Sequence, residues 1–200
     1  MPDVDPFSDQ LEGWLSTDGP KTLGTLGDVF AEKSFAVTIL FLMFIPALPL
    51  PTGGISHVFE AITVLLAGQM VLGRDTIWLP AKWRHRELGA ATTGKAVPFI
   101  VRRVRWFERF SRQRGAVFFQ QRWALRILGL LLAGLAVAAV TSPPFSGLDT
   151  LPAMGAVVIA LAIILEDVLI LGIGVAIGSG GVIVILTLGA ALVRVLSGVF

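Results

Sequence analysis

The sequence contains no cysteine and only two histidines, His57 and His85, among 200 residues. Without thiols there are no disulfides, no thiolate metal ligands and no cysteine nucleophile, and two imidazoles cannot build a histidine-rich metal cage. Neither a metal nor another cofactor is expected. Charge is scarce as well: 15% of residues are charged against 54% hydrophobic, and the mean hydropathy is +0.80. That balance exceeds what a soluble core requires, so a bilayer is the expected solvent. The N-terminal region also lacks the positive start of a secretory signal. Residues 1–34 carry seven acids against Lys21 and Lys33, and no cleaved signal is expected.

What charge there is lies segregated. Residues 74–126 hold thirteen of the sixteen Lys and Arg, against only Asp75, Glu87 and Glu108. The positive-inside bias assigns this loop to the cytoplasmic side of a bacterial inner membrane. Trp78, Trp83, Trp106 and Trp123 lie among its cations, the mixture expected at headgroup level. Within it, 97–110 is amphipathic at helical spacing: Val97, Ile100, Val104, Phe107 and Phe110 share one side, while Arg102, Arg105, Glu108 and Arg109 share the other. Arg103 intrudes on the apolar arc. Anionic lipid headgroups are the expected partners of these arginines, rather than nucleic acid.

Apolar runs flank the basic segment. The first, 35–50, is a helix that stops at its prolines, because Pro46, Pro49 and Pro51 remove donors and push the preceding residues towards extended backbone. After Gly53 and Gly54, a second helix runs to about Gly73, with Thr52 or Ser56 as its N-cap. It is just long enough to cross the hydrocarbon, which takes roughly 20 residues. The second half repeats the layout: a run from Ala124 to Val140, a break at Pro143, Pro144 and Gly147, and a run from Leu151 to Leu165 closed by Glu166 and Asp167. A further stretch to Ile177 is broken by the glycine cluster 178–181, and a last run follows. The expected fold is therefore an all-α, multi-pass membrane bundle with about five embedded segments, re-entrance being open at the Pro–Gly breaks. Its divisions are an acidic segment 1–22, a first membrane half 23–73, the basic segment 74–123 and a second membrane half 124–200.

Setting Gly54 against Gly147 aligns Arg74 with Asp167, as in a duplicated ancestor whose broken helices meet near mid-membrane. On the second helix Ser56, Glu60, Thr63, Ala67, Met70 and Arg74 fall on one face, and His57 sits one turn from Glu60. An ionisable side chain in hydrocarbon costs roughly 2.5–3.5 kcal/mol on insertion scales and usually faces protein or a water-filled cavity. His57, Glu60, Thr63, Arg74, Glu166 and Asp167 are thus the candidate polar centre. Solvation of His57 and Glu60 at a headgroup region, and a helix-boundary role for the acidic pair, remain the plainer alternatives. The spacing Gly174-x-x-x-Gly178 suits close helix approach.

Several of these residues also form a recognisable set: Leu26-Gly27-Asp28, 48–54 with His57-Val58-Phe59-Glu60, Gly68-Gln69, Gly73-Arg74, Trp78-Leu79-Pro80 and Leu165-Glu166-Asp167. Through them the chain resembles the ExoD family of bacterial exopolysaccharide-synthesis proteins. The resemblance implies a multi-pass inner-membrane protein linked to exopolysaccharide production, and it carries over no catalytic residue. It departs from the family where Val168 follows the acidic pair in place of glycine. Two functions are open: a transport-like or export-accessory protein, or an auxiliary subunit docking lipid or a membrane-complex partner, a second copy included. An enzyme ranks behind both, since no nucleophile–base pair is recognisable.

Overall fold

A computed structural model describes residues 6–22, 25, 33–48, 55–74, 76–78, 80, 97–110, 114–143 and 146–197. Among them are eight helices and no extended strand: α1 (Phe7–Ser16), α2 (Ser34–Phe44), α3 (Ile55–Val71), α4 (Val97–Phe110), α5 (Ala116–Phe119), α6 (Arg122–Val140), α7 (Thr150–Leu165) and α8 (Val168–Ser197). The all-helical expectation holds.

Two helices form the centre. A helix that is apolar all round belongs inside, and α2 is buried at every position from Ser34 to Met43. α7 is nearly as enclosed, and the two pack on each other. Around them α3 packs on α6, each also touching its neighbour in sequence, α2 or α7, and α8 covers α7.

Length separates these helices into two classes. α6 and the Val168–Leu188 part of α8 are long and apolar enough to cross a membrane. α2, α3 and α7 have 11, 17 and 16 residues, so they extend only about 16–26 Å against a hydrocarbon core of about 30 Å. Five apolar helices, α2, α3, α6, α7 and α8, stand where the embedded segments were expected, but only two have the length of a span.

α8 corrects one boundary. The cluster 178–181 was expected to break the chain, yet one helix runs through it. Gly174, Gly178 and Gly181 lie along α8 at one-turn intervals. Gly174 and Gly181 face α7, a Cβ on Gly181 coming within 2.8 Å of the Pro152 nitrogen. The Gly178 Cα would lie 2.4 Å from a Cβ on Gly155 of α7, while a Cβ on Gly178 itself would meet Leu135 of α6 at 2.7 Å. Glycine here permits backbone contact between helices instead of a turn.

α4 has the expected bounds, burying Val97, Ile100, Val101 and Val104. Its first turn meets the end of α2, where the Phe44 and Phe99 rings are 5.7 Å apart. α1 packs on α4 through polar contacts: the Ser8 amide and hydroxyl both donate to the Glu108 carboxylate, and Arg105 pairs with Asp9 at 3.1 Å and Glu12 at 2.9 Å. The hydrogen bond and charge of Glu12 hold the exposed Arg105 guanidinium above its ordinary pKa.

Candidate functional site

The polar stripe of α3 is its buried face. Ser56, Glu60, Thr63, Ala67 and Met70 are all buried, and Arg74, beyond the helix end, is exposed. Glu60 is 0% exposed. His57 Nδ1 lies 3.0 Å from its Oε2, and the carboxylate has no conventional hydrogen-bond partner among the described residues. The Thr63 hydroxyl is spent on the Phe59 carbonyl at 2.9 Å. A second acid bears on Glu60: the charge of Asp149, immediately before α7, repels it. Ser56 lies inside α3 and is not its N-cap; Thr52, the other candidate cap, falls outside the described residues.

The remaining members of the expected centre are at the other end of the bundle. α3 closes on Gly73 at φ +73°, with Gly73 N–H donating to Met70 O and Arg74 N–H to Gln69 O. These paired bonds and the left-handed residue form a Schellman cap. α7 closes similarly: Glu166 adopts φ 54°, ψ 40°, and Asp167 N–H donates to Ala162 O. Left-handed backbone costs a residue with a Cβ about 1 kcal/mol. Here it aims the Glu166 carboxylate at Lys33, whose Nζ is 2.9 Å away and also donates to the Ile164 carbonyl at 2.8 Å. Asp167 is buried, and its side chain accepts the Leu169 amide at the start of α8.

Glu60 and Arg74 therefore share a helix face but stand about 21 Å apart along its axis. The structure brings His57, Glu60 and Thr63 together at one end and Arg74, Glu166 and Asp167 at the other. The ion-pair partner of Glu166 is Lys33. Pro143 and Gly147 shape the turn into α7, with Ser146 N–H on the Pro143 carbonyl and Gly147 at φ +69°. Pro49, Pro51, Gly53, Gly54, Trp83 and Pro144 lie outside the described residues. Of the expected interfacial residues, Trp78, Arg102, Trp106, Arg109 and Trp123 are exposed, and Arg105 is engaged with α1.

Three contributors escaped the sequence reading. Lys33 is a lone cation ahead of an apolar run, and Asp149 a lone acid ahead of another; each could have been flagged as a helix-end charge. Gln69 forms a reciprocal amide pair with the Trp78 backbone, donating to its carbonyl at 2.8 Å and accepting its N–H at 2.7 Å. Only its place in the Gly68-Gln69 motif marked it.

The described residues thus define a class: a helical bundle with two span-length helices around short buried ones, carrying separate charged groups at its two ends. The chain belongs to the ExoD family, exopolysaccharide synthesis, whose family model matches residues 7–187. It is similar to an uncharacterized protein of Synechocystis, 27% identical over 174 residues, which covers 84% of this chain and 80% of that protein. No solved structure matches it.

Proposed function

We propose that this ExoD-family protein is a multi-pass protein of the bacterial inner membrane that serves exopolysaccharide production as a transport-like or export-accessory component, with Glu60 as its working group. The observation that carries this reading is a carboxylate 0% exposed on an otherwise apolar helix, with one imidazole at 3.0 Å. A group so placed is costly to retain unless it is used. His57 is partly exposed and Glu60 is not, which suits relay of a proton between water and the buried carboxylate. Loss of the Glu60 charge then removes its attraction for His57 and its repulsion of Asp149, and the N-terminal end of α3 rearranges.

Three features support the membrane part of the reading. α6 and α8 present Ile127, Leu130, Leu169, Ile173, Ile183 and Leu186 outward, as a lipid-facing surface requires. The short buried helices α2, α3 and α7 suit re-entrant elements, whose backbone is tolerated at membrane depth where protein encloses it. The cationic excess of 74–126 favours the cytoplasmic side for that segment.

A duplicated origin is supported by the helix ends. One constant offset relates Gly73 to Glu166, Arg74 to Asp167 and Gln69 to Ala162, the two cap geometries given above. The same offset relates Lys33 to Arg126, and the Arg126 Nη2 lies 3.0 Å from where a Gly73 Cβ would stand. The contacts follow suit, since α2 packs on α7 as α6 packs on α3.

The test is exopolysaccharide output from cells expressing Glu60→Gln and His57→Ala at wild-type membrane levels. Glu60→Gln is expected to abolish complementation while preserving the fold, because the amide fills the same space without a charge. Undiminished output from that variant overturns the transport-like reading.

A second reading has its own observation. Phe99, Arg102, Trp106 and Arg109 form an exposed aromatic and cationic face on α4, suited to docking anionic lipid or a partner. If the protein is an auxiliary subunit, Arg102→Gln with Arg109→Gln lowers output more than Glu60→Gln does.

A further inference from the structure

A cavity of about 420 Å³ opens at the bundle end opposite Glu60, between the starts of α2 and α6 and the ends of α3 and α7. Its lining divides by chemistry. Lys33, Arg74 and Arg122 supply cations, while Met70, Leu125 and Ile163 supply an apolar wall. The charges are not internally neutralised: Lys33 pairs with Glu166, but Arg74 and Arg122 have no acidic partner among the described residues. The guanidinium of Arg126 lies nearby over Gly73. Two backbone features add to the positive field. α2 and α6 both begin here, so the positive ends of their dipoles lie at the cavity, and neither N-cap, Lys33 or Gln121, makes a side-chain capping bond.

We propose that this cavity binds the phosphate headgroup of an anionic lipid, with Arg74 and Arg122 gripping the phosphate oxygens and Met70, Leu125 and Ile163 receiving the first carbons of the tail. Arginine is suited to the task because its planar fork meets two phosphate oxygens at once. A free anion would leave the apolar wall unused, and a neutral lipid would leave two guanidinium groups uncompensated. The volume is within the range of small-ligand pockets. The outward apolar faces of α6 and α8 give the rest of the tail a surface to follow. The site is distinct from the exposed face of α4 and does not depend on the role proposed for Glu60.

The test uses the full-length protein in a neutral detergent, with binding followed by native mass spectrometry. The probes are dioleoyl phosphatidic acid, dioleoyl phosphatidylglycerol, dioleoyl phosphatidylcholine and inorganic phosphate. One phosphatidic acid or phosphatidylglycerol per chain is expected to persist where phosphatidylcholine does not. Arg74→Gln with Arg122→Gln should weaken that binding at least about tenfold, since each lost charge-assisted bond is worth about a factor of ten. Arg102→Gln with Arg109→Gln removes the same charge from an exposed face and should change it less than about twofold. Leu125→Phe keeps every charge and narrows the cavity, so it guards against a loss that merely reflects misfolding, and it too should weaken binding. Glu60→Gln should leave binding unchanged, which separates this site from the function proposed above. Equal weakening by the two arginine pairs, or equal retention of phosphatidylcholine, overturns the proposal. Displacement of the lipid by inorganic phosphate at matching concentration also overturns it and assigns the cavity to free phosphate.

Discussion

Lys33 crosses from the start of α2 to the end of α7, where its ammonium holds both the Glu166 carboxylate at 2.9 Å and the Ile164 carbonyl at 2.8 Å. The last carbonyls of a helix lack intrahelical donors and form the negative end of its dipole. One cation thus answers a free carbonyl, a helix end and a side-chain charge. The arrangement explains why Glu166 tolerates left-handed backbone: its own strain is offset by the ion pair that the turn makes available.

That relationship predicts an order of stabilities. Lys33→Met leaves the Ile164 carbonyl and the half-buried Glu166 without their donor and should cost about 1–3 kcal/mol. Glu166→Gly alone exchanges the ion pair for relief of about 1 kcal/mol of backbone strain and should be close to neutral. In the Lys33→Met background the same glycine should be plainly stabilising, because nothing remains to be lost. Denaturation midpoints of the four proteins in one detergent measure the coupling. Additive effects would mean that the two side chains do not act together.

The glycines of the second half divide by environment. A Cβ on Gly155 would meet the Gly178 backbone at 2.4 Å, and one on Gly174 the Ile159 nitrogen at 2.8 Å; at Gly172 and Gly180 nothing lies within 4 Å. Gly155→Ala and Gly174→Ala should therefore force α7 and α8 apart at a cost of about 1–3 kcal/mol. Gly172→Ala and Gly180→Ala should be neutral or stabilise by up to about 1 kcal/mol, through better helix propensity. Thermal unfolding of the four single variants distinguishes the classes.

Much of this architecture was legible in the chain, and the failures are instructive. α4 was readable to its ends because an amphipathic helix writes a period of 3.6 into its sequence. The end of α3 was readable because Gly73 is the residue a left-handed cap calls for. The same rule misled at 178–181, where the helix runs on and glycine serves a helix–helix contact; the Gly174-x-x-x-Gly178 spacing pointed to that use for Gly178, whereas for Gly181 only the neighbouring helix reveals it. At Glu166 the rule failed the other way: an acidic residue holds the left-handed turn because Lys33, far away in sequence, is there to receive it. The polar stripe of α3 was correctly placed on one face, but a face says nothing about depth. Hence Glu60 and Arg74 looked like one site and belong to opposite ends. Helices uniform in hydrophobicity, α2 and α7, carry no period at all, and their central position follows only from which elements surround them.

The contact between α1 and α4 tests how an acidic segment is held against a basic one. Two kinds of interaction compete for the credit. Arg105 meets Asp9 and Glu12, but all three side chains are more than 40% exposed, and ion pairs in water contribute little once side-chain entropy and salt screening are counted. Glu108 accepts both the amide and the hydroxyl of Ser8 in a part-buried setting, on a helix whose Leu11 and Trp14 are buried. Ser8 lies in the first turn of α1, where the free amides and the positive end of the helix dipole favour a carboxylate. Glu108 therefore acts as a capping group supplied by another helix. Glu108→Ala should detach α1, seen as faster amide hydrogen exchange across 7–16 by about five- to thirtyfold, given about 1–2 kcal/mol for a cap. Arg105→Ala should leave exchange in α1 within about twofold of wild type, and 0.5 M salt should do the same. If salt alone releases α1 while Glu108→Ala does not, surface charge and not the cap holds the two helices together.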